Sequence, residues 1–374
     1  MRKTVLITGG AGFIGSHLAD HLVDHDYAVR ALDCLSPQVH GSHSERPPYL
    51  HSELELMVGD VRDPEALRNA LSGVDAVFHF AAKVGIGRSM YELVEYTSTN
   101  NEGTACLLEA LIQRPVERLV VASSMDVYGE GLYQDAEGRL VAGVQRSLAQ
   151  LRSRNWDLLT PSGEILLPVP TPETKQPALA SVYALSKFDQ EQMCLLAGRA
   201  YGIPTVALRF FNVYGPRQAL SDPYTGTGVL AIFAARLLND RSPMIFEDGY
   251  QQRDFVNVHD VALACRLALE SPQAADGVFN VASGSHFTIR EMAARMAEIL
   301  GREHIEPKIT DKHRVGDIRH CFADISRARD VLGFEPRIPL QEGLAELGGW
   351  LRSRNAEDHI AVESSALDPR GLTV

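Results

Sequence analysis

The chain has 374 residues, of which 45% are hydrophobic and 22% are charged, and its formal net charge is −12. This length suits one large α/β domain with additions or two domains, and the composition is that of an ordinary globular protein. The acidic balance argues against a nucleic-acid-binding surface, although a local basic pocket for phosphates remains compatible with it.

The cysteines are odd in number and scattered, and no two of them form a C-x-x-C pair. This pattern argues against a disulfide framework and against a structural metal site, and it fits a reducing compartment. No apolar run reaches the length of a membrane span, and the first ordered element is expected at residue 4, which leaves no room for a signal peptide. We therefore expect a cytoplasmic protein without a membrane or nucleic-acid partner.

The segment Thr4–Leu18 combines a short apolar strand, a glycine turn and an amphipathic helix. Gly9, Gly12 and Gly15 allow phosphates to approach the backbone and allow the helix to pack near the strand. The helix N-terminus presents free N–H groups and the positive end of its dipole to an anion. A glycine triplet alone also occurs in ordinary turns, but in this context it predicts a dinucleotide-binding site.

The next strand, expected over residues 27–33, ends at Asp33. A carboxylate there accepts hydrogen bonds from the adenosine ribose and repels a 2′-phosphate, so it favours NAD over NADP. The alternative is that Asp33 merely ends a strand. Arg30 should point to the opposite face of that strand, which makes it a poor ligand for a 2′-phosphate.

Strands and helices alternate through roughly the first 130 residues, which predicts an α/β fold with a Rossmann-type, doubly wound parallel sheet. The further strands are expected at 54–58, 76–80, 118–123 and 204–210, with long helices at 91–113 and 183–200. Residues 130–178, called the insertion below, interrupt this rhythm and show only a possible helix near 144–154. A segment of this length indicates a lid, an oligomer contact or disorder.

After residue 215 the sequence predicts a smaller and more polar lobe. Its helices are expected near 228–239, 260–270, 288–300 and 340–352, and its strands near 244–246, 254–256 and 278–281. We therefore expect an NAD-binding domain over 1–215, a substrate-binding lobe over 216–353 and a flexible tail over 354–374.

Tyr183 and Lys187 stand four residues apart, on one face of a predicted helix. A neighbouring ammonium and a positive nicotinamide ring would favour the phenolate and make the tyrosine a usable base. Ser124 ends a strand at the edge where such sheets bind ligands, and it could hydrogen-bond the reacting oxygen. Taken separately, the pair occurs by chance in many helices and the serine could simply end a strand.

Together these motifs resemble the extended short-chain dehydrogenase/reductases of the nucleotide-sugar epimerase/dehydratase family, over residues 3–352. The resemblance is carried by Thr8–Gly15, Gly59–Asp63, His79–Ala82, Asn100 with Gly103 and Thr104, Ser123–Ser124, Val127–Gly129, Tyr183 with Lys187, Arg209–Pro216, Arg253–Val256 and Arg314–Asp317.

The resemblance implies roles for further residues. Contacts with NAD are implied for Phe13, Ile14, Asp60, Val61, Phe80, Ala81, Ala82, Lys83, Asn100, Ser123 and Phe211, besides Tyr183 and Lys187. Contacts with a nucleotide-diphosphate sugar are implied for Ser124, Met125, Tyr183, Asn212, Arg253, Arg314 and Asp317. A guanidinium suits phosphate oxygens, although both arginines could instead form ordinary surface ion pairs. Cys321 is implied at a position that limits the size of the sugar.

The family's dehydratases use an Asp-Glu pair directly after the active-site hydroxyl, where this chain has Met125 and Asp126. Methionine cannot donate a proton, so the resemblance favours bacterial nucleotide-sugar 4-epimerases, dTDP-L-rhamnose 4-epimerases among them, which the stretch 212–226 also resembles. Asp126 keeps a 4,6-dehydratase or a decarboxylase as alternatives. A non-catalytic NAD-binding sensor or scaffold is the remote alternative, since the catalytic residues are intact.

The resemblance also implies a homodimer, built by the helices expected at 91–113 and 183–200. These helices carry more apolar residues than one core-facing stripe requires. The residues are Leu107, Leu108, Leu111, Met193, Leu195 and Leu196.

Overall fold

The computed structural model describes residues 2–41, 45–143, 145–218, 228–314, 316–353 and 373. The strands are β1 Thr4–Thr8, β2 Ala28–Asp33, β3 Glu55–Val58, β4 Ala76–His79, β5 Arg118–Ser124, β6 Leu132–Gln134, β7 Leu140–Ala142, β8 Leu167–Val169, β9 Thr205–Phe210, β10 Asn212–Tyr214, β11 Met244–Ile245, β12 Gln252–Arg253, β13 Phe255–Asn257, β14 Gly277–Val281, β15 Phe287–Thr288, β16 Lys308–Ile309 and β17 His320–Cys321.

The α-helices are α1 Phe13–Val23, α2 Pro37–His40, α3 Pro64–Ala70, α4 Ile86–Ser89, α5 Leu93–Tyr96, α6 Gly103–Gln113, α7 Leu148–Arg152, α8 Val182–Tyr201, α9 Val229–Leu238, α10 Val258–Glu270, α11 Ile289–Leu300, α12 Ser326–Leu332 and α13 Leu340–Arg352. A π-helical segment spans Thr97–Glu102, and 3₁₀ turns span Met125–Tyr128 and Pro272–Ala274. No helix in the described part of the chain is both long and apolar enough to cross a membrane.

A seven-stranded parallel sheet forms the centre of the molecule, in the order β14-β9-β5-β4-β1-β2-β3. Its central strands are buried on both faces, as in β1 and β5, so they read as continuous apolar runs rather than alternating ones. Separate hydrophobic clusters include alternating residues of β1, such as Val5 and Ile7 in one and Leu6 in the other. The predicted Rossmann-type, doubly wound sheet is confirmed.

The strand predicted at 278–281 in the smaller lobe lies instead at the edge of this large sheet. β14 pairs in parallel with β9, from Gly277 opposite Val206 to Val281 opposite Phe210. The preceding helix α10 packs against α1. The chain therefore returns to the central sheet after residue 215, because only tertiary pairing decides which sheet a short apolar strand joins.

The long helix predicted over 91–113 is not a single α-helix. α5 passes into the π-helical segment at Thr97, and α6 begins at Gly103. This segment contains Asn100, which is fully buried. Such π-helical stretches are frequent at functional sites.

The insertion has more structure than its sequence suggested. β6 pairs antiparallel with both β7 and β8, and a helix turn, α7, lies within the range where we expected one. The three-stranded sheet escaped prediction because its strands are only three residues long and β8 is distant from its partner in sequence.

The C-terminal lobe packs α9, α11 and α13 around a third hydrophobic cluster that includes Phe233, Met296 and Leu347. The predicted helices of this lobe are present, and α12 was not predicted. The expected flexible tail at 354–374 lies outside the described residues except for Thr373, and the family-like stretch 212–226 lies outside them from residue 219 onward.

Candidate active site

A cavity of about 1150 Å³ opens at the carboxyl ends of the central strands, beside the C-terminal lobe. Ligands of doubly wound folds bind at this edge of the sheet. The residues predicted for the cofactor and substrate sites line this cavity, with the exceptions of Asn100 and Cys321.

The glycine turn forms one end of the cavity. Gly9 has φ +72°, and its N–H donates to the Leu32 carbonyl oxygen at 2.8 Å. Gly12 is the N-cap residue of α1 and provides no side-chain cap, so the helix N-terminus keeps free N–H donors. A Cβ on Gly15 would meet the Gly9 carbonyl oxygen and would approach Gly10 Cα to 2.8 Å. This close backbone cradle at a helix N-terminus fits a pyrophosphate, with Phe13 and Ile14 beside it.

Asp33 lies at the end of β2 with its carboxylate held by the backbone. The Ala11 N–H donates to Oδ2 at 3.0 Å and the Leu35 N–H donates to Oδ1 at 2.9 Å. The side chain is 9% exposed, and it lines the cavity next to the glycine turn. The carboxylate is thus held next to the position that a ribose bound against the glycine turn would occupy.

The wall between β3 and β5 contains the residues implied for adenine and the remaining cofactor contacts. Asp60 and Val61 line it, and Arg62 donates to Asp60 Oδ2 at 2.6 Å, which lowers the pKa of that carboxyl. Phe80, Ala81, Ala82 and Lys83 follow β4 along the same wall.

Asn100 does not reach the cavity, contrary to the expected cofactor contact. Its Oδ1 accepts from the Lys83 N–H at 2.7 Å, and its Nδ2 donates to Ser186 Oγ at 2.8 Å. The π-helical segment turns this side chain inward, so it braces the backbone of the wall and lies behind it.

Tyr183 and Ser124 face the cavity from two elements whose ends are capped. The Ser181 hydroxyl accepts from the Ala184 N–H at 3.1 Å, which fixes the start of α8 one residue before Tyr183. Ser124 ends β5 and caps the following 3₁₀ turn, and it donates to Asp126 Oδ2 at 3.1 Å. Burial and the nearby charge of Asp126 raise the pKa of Tyr183, while its hydrogen bond with Ser124 lowers that pKa.

The Lys187 ammonium is hydrogen-bonded within its own helix. Lys187 Nζ donates to Gln190 Oε1 at 2.8 Å, and burial lowers the pKa of Lys187 to about 8. Gln190 Nε2 in turn donates to Thr104 Oγ1 at 2.9 Å. In the protein alone, burial is the largest influence on the pKa of Tyr183 and raises it, and the effect of Lys187 on the phenolate stays a prediction.

Four further residues line the cavity beside these groups. Burial raises the pKa of Asp126, which lines the cavity beside Met125. Ser123 and Phe211 also line it, but the Ser123 hydroxyl donates to Glu191 Oε2 at 2.6 Å and so points to a buried ion pair.

The proposed diphosphate ligands lie on the opposite wall. Asn212 Nδ2 donates to the Asp254 carbonyl oxygen at 3.0 Å. Arg253 donates to the carbonyl oxygens of Arg319, at 2.9 Å, and Ile318. Because these partners are neutral carbonyls, they orient the guanidinium without cancelling its positive charge.

Arg314 and Asp317 line the same wall and pair with each other, Nη2 to Oδ1 at 2.9 Å. Arg314 also lies over the Phe246 ring, with 5.8 Å from its Cζ to the ring centroid. Cys321, by contrast, is not among the residues that line the cavity, and it packs in a hydrophobic cluster with Met125 and Phe211. The implied role of Cys321 in limiting sugar size is therefore not supported, because the side chain is buried behind the wall.

Several residues of the site were not predicted from the sequence. Gln190 was detectable, since it follows Lys187 by one helical turn. Glu247, Gln251 and Lys312 also line the cavity, but nothing in their local sequence connects them with it.

Known proteins are similar to this chain in sequence and in fold. The model of the NAD dependent epimerase/dehydratase family matches residues 5–144 and 161–282. A dTDP-L-rhamnose 4-epimerase from Burkholderia thailandensis is 36% identical over 353 residues, which cover 93% of this chain and 95% of the relative.

Two solved structures are also similar. The UDP-glucose 4-epimerase of Thermotoga maritima, solved with UDP-glucose, has a TM-score of 0.77 and 31% identity, covering 94% of this chain and 99% of the other. The UDP-glucose 4-epimerase of Thermus thermophilus, solved with NAD, has a TM-score of 0.73 and 30% identity, covering 93% and 99%. By its family match, its relatives and its glycine turn, this chain belongs to the NAD dependent epimerase/dehydratase family.

Proposed function

We propose that this protein is an NAD-dependent 4-epimerase of a nucleotide-activated sugar, which acts through a transient 4-keto sugar. The observation that carries the proposal is the placement of Tyr183, Ser124 and Lys187 in the same cavity as the glycine turn and Arg253. NAD, when bound, supplies the hydride acceptor and returns the hydride within one turnover.

Side chains of the protein provide proton transfer, charge stabilisation and substrate binding. Tyr183 takes the proton of the sugar 4-hydroxyl, and Ser124 hydrogen-bonds the same oxygen. Lys187 provides the positive charge that favours the phenolate and holds the nicotinamide ribose. Arg253 and Asn212 bind the diphosphate, so that the sugar reaches Tyr183 at the far end of the cavity.

The cofactor assignments are part of this proposal. Gly9, Gly12 and Gly15 hold the pyrophosphate, and Asp33 binds the adenosine ribose. Residues 1–215 provide most of the cofactor site, and the lobe after residue 216 provides most of the substrate site. The cytoplasmic location remains a prediction that depends on the cysteine pattern.

The reaction in heavy water tests the proposal. The protein is incubated with a panel of UDP- and dTDP-sugars, dTDP-L-rhamnose included, and each product is returned to light water before mass spectrometry. A 4-epimerase returns the hydride to C4, so we expect a new epimer with no carbon-bound deuterium and no consumption of external reductant. A product with deuterium at C5 or C6 would contradict simple epimerisation.

Asp126 supports a second candidate, a 4,6-dehydratase or decarboxylase. Its carboxyl lines the cavity, contacts Ser124 and has a raised pKa, so it can hold a proton next to the sugar. In that case the product carries solvent deuterium, a decarboxylase also releases carbon dioxide from its sugar-acid substrate, and Asp126→Asn abolishes the reaction. A 4-epimerase should keep turnover in the same variant.

We also propose a homodimer, although most of the leucines expected at its interface are buried inside the monomer. Leu107, Leu111 and Leu195 are buried within the monomer, and Leu108 is 7% exposed. These residues fill the core beneath the helices because α6 and α8 pack against the sheet and against each other.

A different apolar set remains on the neighbouring helix surfaces. Val94 is 78% exposed and Leu93 is 48% exposed on α5, and Leu196 is 60% exposed and Leu185 44% exposed on α8. Leu185 and Leu196 are three helical turns apart and share a face of α8. Pairing of this face with its symmetry mate would cover them. Light scattering should return twice the 41.0 kDa of one chain, and Val94→Glu with Leu196→Glu should return the monomer mass.

A further inference from the structure

A cluster of charged side chains joins the insertion to the C-terminal lobe. Its members are Glu130, Arg146 and Asp157 from the insertion and Glu247, Asp248, His313 and Arg319 from the lobe. The side chains of Arg146, Glu247 and Arg319 are each 2% exposed. Removing one partner of a buried ion pair is strongly destabilising, so the cluster couples the positions of the two segments.

Arg319 is the centre of the cluster. Its Nη1 lies 2.9 Å from Glu247 Oε2 and 2.6 Å from Asp248 Oδ1, and its Nη2 lies 2.9 Å from Asp157 Oδ1. Arg146 occupies the other side of Glu247, with Nη1 2.8 Å from Oε1. Arg146 also donates to the carbonyl oxygen of Trp156 at 3.0 Å, which ties it to the segment that carries Asp157.

The backbone of Arg319 connects this cluster with the cavity. The Arg319 carbonyl oxygen accepts from Arg253 Nη1 at 2.9 Å, and the Ile318 carbonyl oxygen accepts from Nη2 of the same guanidinium. The Arg319 N–H donates to Glu130 Oε1 at 2.7 Å. The position of Arg253 therefore depends on a backbone segment that the insertion holds from behind.

Glu247 provides a second connection. It lines the cavity beside Phe246 and has φ +51°, a conformation that L side chains rarely adopt. Its carboxylate is held from both sides by Arg146 and Arg319. Strained backbone of this kind persists where the surrounding contacts over-determine it.

Arg146, which contacts Glu247, and Asp157, which contacts the Arg319 side chain, lie outside the part of the chain that the family model matches. The family model matches residues 5–144 and 161–282. Arg146 and Asp157 lie in the interval 145–160 between the matched blocks. Residues 145–160 therefore support the cavity from behind, whereas most of the residues that line it lie in the matched blocks.

We propose that residues 145–160 act as a brace for the substrate site, in which Arg146 and Asp157 are positioning residues for Arg253. This proposal rests on the proposed function in one respect, namely that Arg253 binds the diphosphate of the substrate. Neither residue contacts the reacting atoms, so their effect is on substrate binding and not on proton transfer.

The test uses Arg146→Gln, Asp157→Asn and the control Glu137→Gln. Asp157 is 41% exposed, so its variant should fold even if the loss of the buried Arg146 destabilises the protein. Glu137 lies in the same insertion but is 63% exposed and pairs only with Arg139 among the described residues. Binding of UDP and dTDP to the NAD-loaded protein is measured by calorimetry, together with kcat, KM and bound NAD.

We expect Arg146→Gln to raise Kd for the bound diphosphate, and KM, by about tenfold, the range typical of coupled neighbours. Asp157→Asn should raise both by about threefold, while kcat, bound NAD and the control remain within twofold of wild type. In an Arg253→Ala background, Arg146→Gln should add no further weakening. Unchanged Kd in both brace variants, or the same weakening with and without Arg253, would overturn the proposal.

Hydrogen–deuterium exchange separates failure of the brace from failure of the proposed function. Peptides covering 316–321 should exchange faster in Arg146→Gln and Asp157→Asn than in Glu137→Gln. If the wild type binds neither UDP nor dTDP, the proposed function is wrong, and the exchange rates still decide whether the interval holds Arg319. Exchange equal to that of wild type in both variants would reject the brace.

Discussion

Replacement of Asp33 by asparagine tests the origin of cofactor choice. Asp33 is 9% exposed, and both of its carboxylate oxygens are anchored by backbone N–H groups, so the charge cannot move away from a bound cofactor. A 2′-phosphate placed about 5 Å from it experiences a repulsion of about 3 kcal/mol at an effective dielectric constant near 20. That energy corresponds to about 10² in affinity.

Asparagine has almost the same shape and removes the charge, but its Nδ2 cannot accept one of the two backbone N–H groups that the carboxylate accepts. NADP should therefore bind about 10² more tightly to Asp33→Asn than to the wild type. NAD should bind about tenfold more weakly, because a hydrogen bond to a charged acceptor is replaced by a neutral one. The preference for NAD over NADP thus falls by about 10³.

Calorimetric titration of the cofactor-stripped protein with NAD and with NADP measures both affinities. Asp24→Asn, at the exposed end of α1, is the matched control and should keep the wild-type preference. Equal affinity of the wild type for the two cofactors, or an unchanged ratio in Asp33→Asn, would refute the electrostatic argument.

Three further predictions concern Tyr183, Gly15 and Asp254. Tyr183→Phe should lower kcat by at least about 10² while bound NAD stays at the wild-type level; full activity in steady-state assays would exclude Tyr183 as the base. Gly15→Ala should lose bound NAD, because the new Cβ would press on the glycine turn, whereas Gly349→Ala, with open space around it, should retain it in absorbance measurements. Burial raises the pKa of Asp254 to about 6, so the folded state binds this proton more tightly than the unfolded state does. The stabilisation therefore declines as the pH rises through about 6, and urea unfolding should show wild type losing about 1 kcal/mol relative to Asp254→Asn between pH 5 and 7.

The features that the sequence determined by itself are local in the chain. The order of strand, glycine turn and helix in residues 4–18 needs only backbone geometry and hydrophobic periodicity, and the structure reproduces it. The four-residue spacing of Tyr183 and Lys187 places both on one face of α8 for the same reason. Asp33 at the end of β2 was likewise evident from the strand pattern.

Tertiary structure decided the features that depend on contacts between distant segments. β14 joined the central sheet through its pairing with β9, which no local pattern specifies. Lys187 donates a hydrogen bond to Gln190, and Asn100 accepts one from the Lys83 N–H behind the cavity wall. Buried polar groups need hydrogen-bond partners, and the tertiary structure determines which partners are near. Arg319 contacts Asp157, although the two residues are 162 positions apart in the chain. Charges attract strongly only when they lie within a few ångströms of each other, and only the folded chain brings these two that close.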